Sequence, residues 1–280
     1  MKMRKSARRT ALYAIAAWLL SACASRDMPP LDTRFNALSQ DSRVQFVVIH
    51  ATQENFEDSL RILSRGGVSS HYLVDVAPPT VYRLVDEERR AWHAGASSWQ
   101  IFANLNAGSI GIEIVNPSPI KTAQGWIWDT PYPQPQIDQV IALVKSIVKR
   151  HGVRADRVLA HSDIAPQRKV DPGPHFPWKQ LADAGVIPWP DAAAVARRRA
   201  VYEATLPELA WFQDKLAVHG FAVPQNGLLD EPTRRVIGAF QMKYRPGRYD
   251  GTPDAETAAL LDVATTPGGM LMADGKPFTP

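Results

Sequence analysis

The chain has 280 residues, 45% hydrophobic and 21% charged, enough to build a sizeable core in one large domain or two modest ones. Its formal net charge is +4, but much of the excess lies in Lys2, Arg4, Lys5, Arg8, Arg9 and the run Arg197-Arg198-Arg199. The body is nearly balanced, so nucleic acid is not an expected partner, and a single cysteine, Cys23, excludes both an internal disulfide framework and a cysteine-built metal site.

In chain order, a basic start leads into an apolar run at residues 11–20 and then Leu20-Ser21-Ala22-Cys23. The run is short for a bilayer span, and residues 1–22 have the outline of a signal peptide. The ending resembles the lipobox of bacterial lipoproteins. That resemblance implies lipidation at Cys23, which becomes the first mature residue and is held in the lipid bilayer. An ordinary cleaved signal with an incidental cysteine is the alternative. Each buried CH₂ adds ~0.8 kcal/mol, so a multi-acyl anchor is effectively permanent. Ala24, where such lipoproteins carry Asp for inner-membrane retention, points to the outer membrane, facing the periplasm. Residues 23–40 are polar, contain Pro29-Pro30 and read as a tether.

Residues 41–190 read as an α/β domain, a central mixed β-sheet flanked by helices. Strands are expected at 44–49, at 71–76 and 81–85 around the turn Ala77-Pro78-Pro79-Thr80, at 110–115 and at 157–160. In the fourth, Ile110, Ile112 and Ile114 share one face, while Glu113 shares the other with Gly111. Ile137, Val140, Ile141, Val144, Ile147 and Val148 recur at helical spacing, and His151-Gly152 ends that helix. Residues 191–205 contain an Ala- and Arg-rich stretch and read as a linker, helical in part. Residues 206–264 read as a small all-α three-helix domain, marked by Leu209, Phe212 and Leu216, then Val236, Ile237 and Phe240, then Thr257, Leu260 and Leu261. Residues 265–280 lack a pattern and are expected to be disordered.

Two histidines, His50 and His161, stand at strand ends, and Asp171 lies in a loop rich in Pro and Gly. Two imidazoles and one carboxylate leave a fourth position for water, the arrangement of a catalytic zinc site. Spacing alone leaves other readings open: a strand-end histidine is often capped or partly buried, and Asp before Pro is often a turn residue.

Six strings decide the matter further: Phe46-Val47-Val48-Ile49-His50-Ala51-Thr52, Val68-Ser69-Ser70-His71-Tyr72, Ala91-Trp92-His93-Ala94-Gly95, Ser109-Ile110-Gly111-Ile112-Glu113, Ala160-His161-Ser162-Asp163-Ile164-Ala165-Pro166 and Arg168-Lys169-Val170-Asp171-Pro172-Gly173-Pro174. Together, in this order across nearly all of residues 43–184, they resemble the type 2 N-acetylmuramoyl-L-alanine amidases. That family shares its fold with phage lysozyme-amidases and animal peptidoglycan recognition proteins. The resemblance implies that His50, His161 and Asp171 bind Zn2+ and that Glu113 and Lys169 are the catalytic pair.

The residues themselves are compatible with those roles. Gly111 beside Glu113 leaves room for a ligand, although a solvated strand-face Glu has the same pattern. Lys169, two residues from Asp171, could donate to an oxyanion or be a surface lysine. His71, His93 and Asn106 are candidate substrate contacts, or structural polar residues. Trp92 and Trp99 fit a core or cleft wall, and Trp126, Trp128 and Tyr132 fit a sugar-stacking rim or a packed loop. Residues 206–264 resemble the helical peptidoglycan-binding domain often fused to wall hydrolases, with Asn226-Gly227 where Asp-Gly is usual; a packing domain is the alternative.

The implied activity is zinc-dependent hydrolysis of the amide between N-acetylmuramic acid and L-alanine, in peptidoglycan or its muropeptides, for wall turnover or recycling. A monomer is expected. The alternatives are a non-catalytic peptidoglycan-recognition lipoprotein on the same fold and a wall endopeptidase.

Overall fold

The computed structural model describes residues 29, 31–122 and 125–279. The expected signal peptide and Cys23 lie outside them. Along the chain the strands are β1 (Phe46–Ala51), β2 (Tyr72–Val74), β3 (Val81–Arg83), β4 (Ser98–Trp99), β5 (Phe102–Ala103), β6 (Ser109–Ile114), β7 (Ile120–Thr122), β8 (Gly125–Ile127), β9 (Val158–Ala160), β10 (Trp189–Pro190) and β11 (Met270–Leu271). The helices are α1 (Phe56–Arg65), α2 (Gln134–His151), α3 (His161–Ile164), α4 (Trp178–Asp183), α5 (Ala192–Ala204), α6 (Leu209–His219), α7 (Glu231–Tyr244) and α8 (Ala255–Thr265). Among the described residues no helix is long and apolar enough to cross a membrane. Residues 29–41 form a unit of their own without regular elements, and they expose Leu31, Phe35 and Leu38.

The central sheet has the order β3-β2-β6-β1-β9. β1 runs parallel to β6 and β9, β6 runs parallel to β2, and β3 closes one edge antiparallel to β2, so the sheet is mixed as expected. β1 is buried at all six positions, the pattern of a strand covered on both faces. On one face Val47, Ile49, Ile110, Ile112 and Ile114 pack on Ile137, Val140, Val144 and Ile147 of α2. On the other, Phe46, Val48 and Leu159 join Ile164 and Ala165 and continue into Phe212, Leu216, Val236, Ile237, Phe240 and Leu261. Fully burying one such side chain stabilises by roughly 1.5–3 kcal/mol, so this second core binds the helical region firmly to the sheet.

The hairpin β4–β5 reinforces that junction. Trp99 stacks edge-on against Phe221, and its ring lies so close to Gly220 that a Cβ there would approach to 2.6 Å. Only glycine admits this approach.

One expectation is sharpened, one is corrected, and one helix was not expected. Residues 191–205, read as a partly helical linker, are helical nearly throughout: α5 occupies them, capped by Asp191 accepting from the Ala193 N–H at 2.9 Å and packed on α8, with the Tyr202 hydroxyl donating to Asp262 at 2.9 Å. Alanine and arginine are strong helix formers, and helix propensity rather than an apolar stripe marks this segment. Residues 265–280 are not a disordered tail over their described part: β11 pairs antiparallel with β10, and the Phe278 N–H donates to the Met270 carbonyl at 2.8 Å. The helix α1 was not anticipated; Asn55 caps it by accepting from the Asp58 N–H at 2.9 Å.

The helical region also repeats itself. Gln213 of α6 accepts from the Gly227 N–H at 2.8 Å and donates to Thr233 Oγ1 at 2.9 Å. Gln241 of α7 accepts from the Gly251 N–H at 2.9 Å and donates to Thr257 Oγ1 at 3.0 Å. Each glutamine is fully buried, and each fixes the loop that leads into the following helix.

Candidate active site

Three adjacent parallel strands bring the predicted ligands together. His50 on β1 is the register partner of Glu113 on β6. His161 opens α3 directly after β9, which flanks β1 on its other side. The loop after α3 returns so that the Ser162 N–H donates to the Asp171 carbonyl at 2.9 Å, which places the Asp171 carboxylate beside both rings. His50 Nδ1 lies 2.8 Å from His161 Nδ1 and 3.4 Å from Asp171 Oδ2, and His161 Nδ1 lies 3.1 Å from Asp171 Oδ2. All three side chains are buried.

The hydrogen-bond pattern assigns the tautomers. The Ser109 hydroxyl donates to the Leu105 carbonyl at 2.6 Å, so toward His93 Nε2, 3.1 Å away, it acts as acceptor. His93 therefore carries its proton on Nε2, and its Nδ1 accepts from His50 Nε2 at 3.0 Å. His50 is left with a bare lone pair on Nδ1. His161 Nε2 faces the Ala94 carbonyl at 3.3 Å and the Arg168 guanidinium at 3.4 Å; the carbonyl is the nearer and takes its proton, which leaves Nδ1 bare as well. Two lone pairs and a carboxylate oxygen thus converge with no proton to share.

Such a cluster is repulsive without a cation at its centre. Tetrahedral zinc with bonds of about 2.0–2.1 Å sets its ligand atoms roughly 3.3 Å apart, close to the spacings here. Asp171 Oδ1, buried and without a hydrogen-bond partner among the described residues, adds another donor at the same place. The residues fit a divalent metal. Burial, and then the His161 imidazole, hold His50 down to about 4, so protons do not compete for Nδ1 near neutrality.

Glu113 Oε1 stands 3.9 Å from His50 Nδ1. Burial, and then the charge of Asp171, push its carboxyl up to about 8, with Lys169 acting the other way. Glu113 and Lys169 both line a cleft of about 180 Å³ that opens over His161 and Asp171. Its apolar wall includes Ile62 and Leu63 of α1, Val68 and Trp92. Trp92 is 52% exposed and carries the Arg90 guanidinium 4.0 Å over its ring, whereas Trp99 is core. A second cavity, about 300 Å³ and away from the ligand cluster, lies between the sheet and the helical region, bordered by Trp99, His219, Lys243 and Tyr244.

Three predicted substrate contacts are structural instead. His71 is fully buried, with Nδ1 accepting from the Gly111 N–H at 3.0 Å and Nε2 donating to the Arg89 carbonyl at 3.0 Å. Both nitrogens of His93 are taken by His50 and Ser109; the ring forms part of the cleft wall but has no polar atom left for a ligand. Asn106 Oδ1 accepts from the N–H groups of His93 and Ala94, at 3.0 and 2.8 Å, and so clamps that loop. The space above Gly111 serves His93, not a ligand: a Cβ would come 2.4 Å from the imidazole.

Trp128 and Tyr132 belong to a packed loop rather than a rim. Trp128 rests against Gly173, and the Tyr132 hydroxyl donates to the Pro172 carbonyl at 2.9 Å, behind Asp171. Sequence reasoning missed Ser109 and Arg168. The latter donates to the carbonyls of Ala94 and Ala96 and fixes the acceptor of His161. Both stand inside or beside the quoted strings, where position near a ligand was the available signal.

Comparison with known proteins agrees with this geometry. The N-acetylmuramoyl-L-alanine amidase family profile matches residues 40–174, and the peptidoglycan binding domain profile matches residues 205–261. The chain is 42% identical over 267 residues to the N-acetylmuramoyl-L-alanine amidase AmiD of Escherichia coli, covering 89% of this chain and 94% of that protein. The structure of AmiD with anhydro-N-acetylmuramic acid-L-Ala-D-γ-Glu-L-Lys superposes with a TM-score of 0.77 at 41% identity, over 85% of this chain and 95% of that one. AmpDh3 of Pseudomonas aeruginosa, in complex with anhydromuramic pentapeptide, gives 0.78 at 37% identity, over 84% and 97%. With 42% identity to AmiD over 89% of its own length and 94% of that protein's, the chain belongs to the N-acetylmuramoyl-L-alanine amidases.

Proposed function

We propose that this protein hydrolyses the lactyl amide between N-acetylmuramic acid and L-alanine in peptidoglycan and its muropeptides, anhydro-muramyl ones included, with zinc held by His50, His161 and Asp171. The observation that carries this reading is the convergence of two bare imidazole lone pairs and one carboxylate beside Glu113. The substrates in the AmiD and AmpDh3 complexes support the choice of ligand.

Held by His50, His161 and Asp171, zinc would supply Lewis acidity toward the carbonyl and bring the pKa of water near neutrality. Glu113, on the strand next to His50, takes the proton of the attacking water and passes it to the leaving amine of L-alanine. Lys169, which lines the same cleft, donates to the oxygen that gains negative charge at the attacked carbonyl. The sugar packs against Trp92 and Val68, whose exposed apolar surface rims the cleft.

Glu113→Ala is expected to retain stoichiometric zinc and lose at least about two orders of magnitude in kcat, measured as release of the stem peptide by mass spectrometry. Near-native turnover in that variant rules Glu113 out as the base. A new amine terminus other than that of L-alanine in the products would make the protein an endopeptidase. We also propose, from the lipobox-like Leu20-Ser21-Ala22-Cys23 followed by Ala24, that a lipidated Cys23 holds the protein at the outer membrane, facing the periplasm; a Cys23→Ser chain is expected to lose acyl labelling and fractionate as soluble.

A further inference from the structure

Lys243, in the last turn of α7, is 7% exposed, an unusual setting for a lysine. Its Nζ donates to Asp163 Oδ2 at 2.7 Å and to the Val158 carbonyl at 3.4 Å, and it sits 4.3 Å over the Trp178 ring. Asp163 is itself 1% exposed, and the same Oδ2 accepts from the Ala160 N–H at 2.8 Å. Val158 and Ala160 are the two ends of β9, and His161 is the next residue. One ammonium from the helical region therefore grips the start of this strand directly and its end through Asp163.

The rest of the contact has the same target. The Gln167 amide donates to the Pro232 carbonyl at 3.1 Å, and Arg235 donates to the Gln167 carbonyl at 3.0 Å, so α7 also holds the loop that joins His161 to Asp171. Ile164 and Ala165 of that loop are packed in the core shared with Val236, Ile237 and Phe240. Without α7, Asp163 would be a buried carboxylate with no counter-charge, two residues from a ligand.

We propose that the helical region is a working part of the metal centre: Lys243, acting through Asp163, is a positioning residue that sets the place of the His161 imidazole. This rests on the reading of His50, His161 and Asp171 as the zinc site, and it gives the region a task beyond contact with the wall.

The test is zinc affinity by competition with a chromogenic chelator, in the intact chain, beside thermal melting. K243M is expected to bind zinc about tenfold more weakly, the low end of what removing outer-shell groups costs. D163N, which keeps an acceptor for Ala160 but strands the ammonium, reaches a similar loss by a second route. D163N/K243M removes the whole link and is expected to bind zinc no more weakly than K243M alone, because the two residues act along one path. L216A serves as the control: it thins the helical core and lowers Tm, yet is expected to leave zinc affinity unchanged. The proposal is overturned if K243M and D163N bind zinc as tightly as the unaltered chain, or if L216A weakens binding as much as K243M. Failure of the unaltered chain to bind zinc at all would sink the metal-site reading itself, and is told apart by that first measurement.

Discussion

The lone pair of His50 Nδ1 is prepared by two side chains outside the ligand set: His93, which accepts from His50 Nε2, and Ser109 behind it. Replacing the Ser109 hydroxyl frees His93 to take the other tautomer, which points a proton at His50 and disorders the donor set. Ser109→Ala is expected to weaken zinc binding by about tenfold in chelator competition, with a smaller effect on kcat of the fully loaded protein. A second residue-scale consequence lies far from the cleft, at Glu87. Burial opposes its ionisation, but Arg150, His151 and Tyr72 outweigh burial and pull its carboxyl from 4.5 down to about 2. A depressed carboxyl lends stability that is whole above its unfolded pKa and lost as the pH falls toward the folded one. The Tm deficit of Glu87→Gln is therefore expected to be full near neutrality and to narrow between about pH 5 and about pH 3. At this scale the alternation of a strand was readable: Glu113 does lie opposite Ile110, Ile112 and Ile114. What surrounds an imidazole was not. His50, His71 and His93 look alike in a string, and their roles separate only by what the fold sets against each nitrogen.

Four helices among the described residues are started by side chains that accept from the backbone: Asn55, Asp191, Asp230 and Asp254 each cap a first turn. Those signals were present in the sequence, and they mark α1 and α5 better than apolar spacing does. The twin glutamines are the other device at this scale. Gln241→Leu removes the side-chain partner of the Gly251 N–H and of the Thr252 carbonyl, and one of the partners of Thr257 Oγ1, which keeps Asp254. A loss of about 1–3 kcal/mol is expected in denaturant unfolding, and the same from Gln213→Leu. The strands of the sheet were legible because β-branched runs with period two have few other uses. The pairing of β10 with β11 was not, because each has two residues and carries no pattern of its own.

On the scale of the whole molecule, sequence divides the chain at about residue 190, and the core does not. Phe46, Val48 and Leu159 of the sheet lie in one apolar body with Phe212, Leu216 and Phe240. A fragment of residues 42–190 bares that face, and it is expected to aggregate or to bind hydrophobic dyes, whereas residues 42–280 stay in solution. The two matched profiles thus mark units of descent that have become one unit of folding.

The clasp formed by Trp189–Pro190 and Met270–Leu271 has a topological effect. The polypeptide enters and leaves the helical bundle at neighbouring points, so the bundle is an excursion that begins and ends at one gate. Cutting the backbone once at the exposed turn around Asn226 or Gly227 would make two pieces, each still fastened to the sheet on its own side. They should co-elute as a single particle, and the severed enzyme should go on cleaving its substrate.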